Sequence, residues 1–433
     1  MKVLVVDSGG RGHAIAWQFK NDPNVKEVIC APGNPGIARE IRCENARTNE
    51  EILELAKRER VYLTFIGPES PLTKGIVDLF SAEDMPIVGP RQRAAILEGS
   101  KAYTKLLCRE IGVPVPEFEV FDDPGLAKDY VTHLGHPVVV KADGLAQGKG
   151  SIVCSNEEDA VRAIDQLMVE KAFGDAGSKV VIEKRLFGTE ISFFVFTDGE
   201  TLAPMPVAQD YKRAYDNDEG LNTGGMGSYS PHRMEGEELD RLVCEKVARP
   251  LIQGFREKEG VAYRGILYCG LMLVDGVPHL LEVNVRFGDP EAEVILPRLI
   301  TPLSDISFQI INGVLSEKKV QWSGDCFLDV VAAQGRTRQM KNGKSKGWYP
   351  GYPSRYGKGY QISGIEDIQD PYCKIFFAGV NYSETKGLVS DGGRVLHVIG
   401  RGVTLEKARS VAYENIEKIR FDGVRYRTDI GKE

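Results

Sequence analysis

The stretch LLEVNVRFGDPE, at positions 280–291, carries three polar side chains at alternate positions. Side chains of a β-strand alternate between its two faces, so Glu282, Asn284 and Arg286 would share one face. A carboxylate beside an amide oxygen suits a hard cation such as Mg²⁺, and a guanidinium suits a carboxylate or a phosphate. The other face would be apolar and would pack on a core through Leu281, Val283 and Val285. A polar strand face that simply meets solvent fits this stretch equally well.

A second candidate is the glycine-rich stretch VVVKADGLAQGKG at positions 138–150, in which three valines lead to Lys141. Glycine lets backbone N–H groups approach a phosphate closely, and Lys149 adds positive charge inside the loop. The stretch is not a Walker A loop, because GxxxxGK[ST] is absent and the strand-like SIVC follows instead of a helix. We predict a β-hairpin flap over phosphate groups, with a mobile surface hairpin as the alternative. Its glycines are Gly144, Gly148 and Gly150.

A third candidate is VVIEKRLFGTEIS at positions 180–192, where one acid ends a strand and a second follows the next turn. Glu183 and Glu190, with the exposed backbone at a strand end, could bind an adenine edge and ribose hydroxyls. Two ordinary surface acids would give the same pattern.

The elements around these stretches predict their scaffold. Strands alternate with helices over the first 90 residues or so, which is typical of a parallel α/β domain. We predict helices near 74–80 and over 94–111, and a longer one over 157–173. The polar, glycine-rich residues 210–232 show no period, and a loop of that length inside a compact region is usually functional or disordered.

Composition limits the class of protein. The chain has 433 residues, so several domains are expected, and its net charge of −7 argues against a nucleic-acid or anionic-membrane partner. No apolar run approaches the length of a membrane-spanning helix, and the apolar start is too short for a signal peptide. The eight cysteines form no CxxC pair and the histidines no HExxH, so reduced thiols and a cytoplasmic location are expected.

Together these stretches resemble the ATP-grasp ligases and, within them, the glycinamide ribonucleotide synthetase family of purine biosynthesis. The resemblance runs along nearly the whole chain, and NTGGMG and NVRFGDPE are specific to that family. The matching motifs, besides the flap, are SGGRGHAIAW (8–17), APGNPG (31–36), GPESPL (67–72), EGSKAYTK (98–105), NTGGMGSYSP (222–231), YRGILYCGLM (263–272), LEVNVRFGDPE (281–291), GGRVLHV (392–398) and YRTDIG (426–431).

The resemblance implies an α/β and α+β multidomain fold with four parts. An N-terminal Rossmann-like domain would cover residues 1–93. The ATP-grasp core would cover 94–118 and 185–320, with a small lid at 119–184. A C-terminal mixed α/β domain would cover 321–433.

The resemblance also implies a role for each site residue. The residues that would bind ATP are Lys101, Lys141, Gly148, Lys149, Gly150, Glu183, Leu186 and Glu190. Glu282 and Asn284 would bind Mg²⁺, with Mn²⁺ as the alternative. The carboxylate and amine of glycine would meet Arg286 and Asp210, which with Lys141 form the expected catalytic set. The residues that would hold 5-phosphoribosylamine are Gly9, Gly10, Arg11, Glu69, Asn222, Thr223, Gly224 and Gly225.

The implied reaction joins glycine to 5-phosphoribosylamine with ATP, through glycyl phosphate. A carboxylate is a poor electrophile, and phosphorylation gives it a good leaving group; positioning and exclusion of water then do most of the work. Small-molecule substrates are the expected partners, in a monomer or a weak homo-oligomer.

The sequence departs from the family pattern at a few positions. Asp7 takes the place of the first glycine of the N-terminal loop, Gly12 that of a glutamate, and Tyr211 that of a histidine. Residues 336–349 look like additional length. We predict that Asp7 caps the loop with side-chain-to-backbone hydrogen bonds instead of facing the ligand.

Three other functions are weighed against this one. An NAD(P) oxidoreductase would need an acid at the end of the second strand, where the chain has CAPGN at 30–34. A carboxyphosphate-forming enzyme such as a biotin carboxylase would lack NTGGMG. An inactive nucleotide-binding regulator would not need Lys141, Glu282 and Asn284 together.

Overall fold

The computed structural model of the chain describes residues 1–146, 150–316, 320–341 and 344–432. Within these residues, no helix is both long enough and apolar enough to cross a membrane.

The N-terminal part is a parallel sheet, as predicted. Its five strands, β1 to β5, are Lys2–Asp7, Glu27–Pro32, Arg42–Cys43, Leu63–Ile66 and Ile87–Val88. They lie in the order β3-β2-β1-β4-β5, and β1 is buried almost throughout because helices cover both faces of a parallel sheet. The first four helices, α1 to α4, are Gly10–Lys20, Asn49–Glu59, Glu69–Thr73 and Ile76–Ser81. The helix predicted near 74–80 is α4, and α3 is a further short helix that was not predicted.

The continuous helix predicted over 94–111 is wrong. The structure has α5, Gln92–Gly99, and α6, Lys101–Ile111, separated at Ser100. The hydroxyl of Ser100 accepts a hydrogen bond from the backbone N–H of Tyr103 at 3.0 Å, which caps α6. As a result Lys101 lies in the first turn of a new helix.

The segment predicted as the lid contains an antiparallel sheet, and this sheet confirms the predicted hairpin. Strands β6 to β9 are Phe118–Phe121, Val138–Ala142, Ser151–Cys154 and Val180–Lys184, in the order β6-β9-β7-β8. In the hairpin of β7 and β8, Lys141 pairs with Ser151, and residues 147–149 of its loop lie outside the described residues. Helices α7, Pro124–Thr132, and α8, Glu157–Ile164, cover one face, and a π-helical turn, Asp165–Val169, extends α8.

The central sheet combines two hairpins, and residues 210–232 lie between them. Strands β10 to β17 are Thr189–Thr197, Leu202–Pro204, Gln209–Asp210, Arg213–Tyr215, Glu219–Asn222, Gly227–Ser230, Gly265–Val274 and Val277–Asn284. The central sheet has the order β11-β10-β16-β17. The stretch at 210–232 therefore contains short strands instead of only a loop. Two helices, α9 at Glu237–Val243 and α10 at Arg249–Glu259, are joined by a π-helical turn, Cys244–Ala248.

Strand β17 contains an irregularity that strict alternation misses. Gly270 pairs with Glu282 but Leu271 pairs with Leu280, so Leu281 is an extra residue in a β-bulge. The buried apolar side chains here are Leu280, Val283 and Val285, while Leu281 is only partly buried. The prediction that Leu281 shares the core face is therefore wrong.

The C-terminal sheet extends beyond the domain in which it was expected. Helices α11 to α13 are Ala292–Ile295, Leu303–Asn312 and Leu405–Ile416. Strands β18 to β25 are Cys326–Gln334, Thr337–Lys341, Lys344–Tyr349, Cys373–Phe377, Val380–Ser383, Gly387–Ser390, Arg394–Gly402 and Val424–Arg425. The sheet order is β12-β15-β18-β24-β21, so two strands of the 210–232 region join it. Within the additional segment at 336–349, β19 pairs with β20 in antiparallel fashion.

Candidate active site

Glu183 is the centre of a buried cluster of charges. Its two carboxylate oxygens lie 3.0 Å from Lys105 Nζ and 2.8 Å from Lys141 Nζ. Each ammonium also donates to a carbonyl beside the β17 bulge, Lys105 to Leu280 and Lys141 to Leu281, at 2.8 and 2.9 Å. Backbone carbonyls of two adjacent residues of β17 thus stabilise both ammonium groups.

The cluster changes the proton affinities of its members. Burial lowers the pKa of Lys105 to about 8, although Glu183 opposes the effect. Burial also opposes the charged form of Glu183, but Lys105 and Lys141 outweigh it and keep the pKa of that carboxyl below its usual value. The Glu183 carboxylate is therefore a counter-ion for two lysines. The candidate contact for adenine is then the backbone at the end of β9, not this carboxylate.

The polar face of β17 carries the predicted metal ligands. Burial opposes the charged form of Glu282, yet four nearby cations lower its pKa to about 2: Lys212, Lys141, Lys101 and Arg286. Lys212 Nζ lies 3.8 Å from Glu282 and also pairs with Glu190. The Asn284 Oδ1 atom accepts from Arg286 at 3.0 Å. This face therefore combines an ionised carboxylate and an amide oxygen with a ring of positive charge.

Arg286 is held by acids on two helices. Its Nη2 donates to Glu98 at 2.8 Å, and its Nε lies 3.5 Å from Glu69. The other Glu98 oxygen accepts from the backbone N–H of Val285 at 2.8 Å. Arg286 Nε is buried without a hydrogen-bond partner among the described residues. The guanidinium is thus fixed in place with one donor still available.

Asp210, on β12, has an oxygen without a partner. Its Oδ1 is buried and accepts no hydrogen bond from the described residues. Burial raises the pKa of Asp210 well above its usual value, and Glu291 adds to the rise. Glu291 itself accepts hydrogen bonds from Ser192 and Tyr268, at 2.9 and 2.8 Å. A positively charged ligand group would relieve the unpaired carboxylate of Asp210.

The N-terminal loop confirms the prediction for Asp7. One carboxylate oxygen accepts from the backbone N–H groups of Ser8 and Gly9, at 2.6 and 2.9 Å, and the other accepts from Arg11 Nε at 2.9 Å. A Cβ on Gly12 would lie only 2.3 Å from the Cβ of Asp7. The two departures from the family pattern, at positions 7 and 12, are therefore sterically coupled: with an aspartate at 7, only a glycine fits at 12.

The loop at 222–225 is tied to the C-terminal domain. The Gly224 N–H donates to the Tyr352 hydroxyl at 2.8 Å, and the Gly224 carbonyl accepts from Arg394 at 2.7 Å. Thr223 is buried, and its hydroxyl donates to the Lys212 carbonyl and accepts from the Gly225 N–H, both at 2.9 Å. Asn222 donates to the Ser151 carbonyl of the lid hairpin at 3.2 Å, so the loop also links the lid to the C-terminal sheet.

These contacts join most of the predicted residues into one group around β17, which is the candidate cleft. Lys101 donates to the Gly144 carbonyl at 3.2 Å, and burial lowers its pKa. Leu186 is half-buried just after β9, and Gly150 is buried in the lid hairpin. Gly148 and Lys149 lie outside the described residues.

Several residues of the cleft were not predicted from the sequence. Lys105 lies inside the quoted motif at 98–105, but nothing in its spacing distinguishes it from a surface lysine. Lys212 follows Asp210 in a polar stretch whose local sequence suggested only a loop. The other unpredicted charged residues of the cleft are Glu98, Asp289, Glu291 and Arg394.

Family models match the chain in three consecutive parts. Residues 1–98 match the N domain of phosphoribosylglycinamide synthetase, residues 99–292 its ATP-grasp (A) domain, and residues 349–433 its C domain.

Individual proteins give the same result. The phosphoribosylamine–glycine ligase of Archaeoglobus fulgidus is 42% identical, with 100% of this chain and 99% of that protein covered. The crystal structure of the phosphoribosylamine–glycine ligase of Thermotoga maritima matches with a TM-score of 0.82 and 35% identity, covering 99% of this chain and 100% of that one. The biotin carboxylase domain of a Hydrogenobacter thermophilus 2-oxoglutarate carboxylase has a TM-score of 0.71 at 17% identity, covering 98% and 91%, and shows the shared fold alone.

Proposed function

The chain belongs to the phosphoribosylglycinamide synthetase family, and from this premise we propose that it joins glycine to 5-phosphoribosylamine in purine biosynthesis, forming glycinamide ribonucleotide, ADP and phosphate. The observation that carries the proposal is the cleft itself. It offers positively charged groups for phosphates, two oxygens suited to a metal ion, a guanidinium held by acids, and a carboxylate oxygen without a partner among the described residues.

The residues present fit ATP and Mg²⁺. Glu282 is ionised at all ordinary pH values, and Asn284 Oδ1 keeps a second lone pair beyond its bond to Arg286. Carboxylate and amide oxygens are the ligands that a magnesium ion takes while keeping positions for phosphate oxygens and water. When bound, Mg²⁺ would neutralise charge on the transferring phosphoryl group. Lys101, Lys141 and Lys212 add fixed positive charge on the same side.

Glycine would be held by its two charged ends. The Arg286 guanidinium, whose Nε lies 3.5 Å from Glu69, would donate to the carboxylate. Asp210 Oδ1, which accepts no hydrogen bond from the described residues, would accept from the ammonium group. A carboxylate oxygen of glycine attacks the γ-phosphorus of ATP, the bond to the bridging oxygen breaks, and ADP leaves. The product is glycyl phosphate, whose acyl carbon is electrophilic.

The amine substrate would then complete the reaction. The nitrogen of 5-phosphoribosylamine attacks the acyl carbon, phosphate leaves with the electron pair of the C–O bond, and the nitrogen loses a proton. The proposed contacts are Gly9, Gly10 and Arg11 at the start of α1, Glu69, and residues 222–225. Because Asp7 already occupies two loop N–H groups, the phosphate would depend mainly on the remaining donors. The proposal includes a cytoplasmic location and a monomer or weak homo-oligomer.

A coupled ADP-release assay tests the function. With ATP and Mg²⁺ present, ADP should form at the full rate only when both glycine and 5-phosphoribosylamine are added. Omission of either substrate should reduce the rate to background. Full-rate ADP release with bicarbonate in place of glycine would contradict the proposal and indicate a carboxyphosphate-forming enzyme.

A further inference from the structure

Four ionisable side chains meet beneath the first turn of α1, where Asp289 reaches the edge of the cleft. Asp329 on β18 and His397 on β24 come from the C-terminal sheet, Glu293 comes from α11, and Asp289 precedes that helix. The side chains of Asp329, His397 and Glu293 are fully buried. The proposed activity uses none of these four residues.

The imidazole of His397 is oriented by Asp329. Its Nδ1 lies 2.8 Å from Asp329 Oδ2, which fixes the ring and leaves Nε2 pointing toward Glu293. Histidines that bind metals typically donate their other ring N–H to a carboxylate in this way.

The space that Nε2 faces is lined by polar atoms without partners. Among the described residues, His397 Nε2 and both carboxylate oxygens of Glu293 lack hydrogen bonds, and Nε2 lies 3.8 Å from Glu293 Oε1. One ligand atom from each of Asp289, Glu293 and His397 can be chosen so that all three lie within 4.8 Å of one another. The 3.8 Å between His397 Nε2 and Glu293 Oε1 is too long for a direct hydrogen bond, but an ion bound to both atoms fits this distance.

Gly10 leaves this space open. A Cβ at position 10 would lie 2.6 Å from Glu293 Oε1 and 2.7 Å from His397 Nε2, and would therefore clash with both ligand atoms. Any other residue at the start of α1 would therefore fill the gap with a methyl or methylene group.

We propose that Asp289, Glu293 and His397 form a binding site for one divalent transition-metal ion, with zinc as the representative ion, which links α1 and α11 to the C-terminal sheet. An imidazole nitrogen with two carboxylates suits zinc and its neighbours, whereas magnesium prefers an all-oxygen set. The ion would compensate the charge of the buried acids. Among the described residues, Asp289 alone of these acids has an arginine partner, Arg394 at 2.8 Å. Three protein ligands leave a fourth position for water.

Zinc binding to the full-length chain tests the proposal. The purified protein is stripped with a chelator and titrated with zinc in excess Mg²⁺, so that the ATP site is occupied by magnesium. One equivalent of zinc should bind, measured by competition with a chromophoric chelator, and should raise the melting temperature.

Two ligand variants and a matched pair of controls assign the ion. Glu293→Gln and His397→Gln should both abolish the zinc-dependent rise in melting temperature. Without metal, Glu293→Gln should melt no lower than the wild type, because an amide replaces an unpaired buried carboxyl, so loss of zinc binding would not reflect unfolding. Exposed His133→Gln and the ATP-site variant Glu282→Gln should keep the bound zinc.

Asp329→Asn probes the orientation of His397 without removing a ligand. Loss of such a supporting group typically weakens metal binding about 10- to 100-fold. The proposal is overturned if zinc neither binds nor shifts the melting temperature of the wild type, or if Glu293→Gln and His397→Gln bind zinc as tightly as the wild type does. Either result would mean that a water molecule or a proton on Glu293 fills the gap.

Discussion

Glu282 is the single residue on which the proposed metal binding depends most directly. Its side chain faces the cleft from β17 and contributes little to the core, and its pKa of about 2 keeps it ionised. Glu282→Gln should therefore fold normally but lose Mg²⁺-dependent turnover. Melting temperature and steady-state ADP release measure the two effects, with the exposed Glu170→Gln as control. Turnover near the wild-type rate at saturating Mg²⁺ would refute the metal assignment.

Lys141 connects the buried Glu183 to the cleft. Loss of a charge-assisted contact to a phosphate costs roughly 1.5–3 kcal/mol, so Lys141→Met should lower kcat/KM for ATP about 10- to 150-fold. Glycine binding should change little, because Arg286 and Asp210 lie on other elements. ATP kinetics identical to those of the wild type would show that Lys141 does not meet the phosphates.

The first turn of α1 supports a prediction about two coupled positions. In the wild type, Gly12→Ala would press a Cβ against Asp7, and overpacking of this kind typically costs about 1–3 kcal/mol. In the Asp7→Gly background the same change should be tolerated better, so the shifts in melting temperature should not add. Additive shifts would contradict the spatial link between the two positions.

Asp7→Gly alone separates capping from ligand binding. Loss of the carboxylate removes a partner from the buried Arg11 and should lower the melting temperature. The KM for 5-phosphoribosylamine should change less than about tenfold, which is about 1.4 kcal/mol. A much larger change in that KM, with unaltered constants for ATP and glycine, would show that Asp7 acts on the phosphate.

Helix α1 also carries a pH-dependent contact with the C-terminal sheet. His13 Nδ1 accepts a hydrogen bond from the Phe377 N–H at 3.0 Å, and Nε2 lies 2.7 Å from Glu40. Because Nδ1 accepts, it carries no proton, and the ring is neutral. Burial lowers the pKa of His13 below its usual value of about 6.5, although Glu40 opposes the effect. The unfolded chain therefore binds a proton more readily, and stability falls as the pH drops below about 6.5.

A comparison of two variants measures this effect. His13→Gln should show a smaller loss of melting temperature between neutral pH and about pH 5 than the wild type does. His133→Gln, at an exposed histidine, should keep the wild-type dependence. Equal pH dependence in all three proteins would mean that His13 is not held neutral.

At the scale of elements, the sequence predicted what local patterns determine. The valine-rich strand at 138–141 and its hairpin were found because their signals are adjacent in the chain. The break between α5 and α6 at Ser100 was not predicted, because a serine inside an otherwise helical stretch gives only a weak capping signal. The strands at 210–232 were missed because β15 pairs with β18, about a hundred residues away.

For the whole molecule, the sequence predicted the cleft residues in separate stretches but not their mutual contacts. Glu282, Asn284 and Arg286 were recognised from alternation along one strand. That Lys105 would pair with Glu183 depends on α6 packing beside β9, which no local pattern encodes. The β17 bulge, which supplies carbonyls to both lysines, likewise arises only from pairing with β16.

The transfer of oxygen from glycine tests the central claim most directly. Glycine labelled with ¹⁸O in its carboxylate is converted with ATP, Mg²⁺ and 5-phosphoribosylamine, and the products are analysed by mass spectrometry. If the reaction passes through glycyl phosphate, one labelled oxygen appears in inorganic phosphate and the nucleotide product is unlabelled ADP. Label in AMP, or unlabelled phosphate at full turnover, would contradict the account.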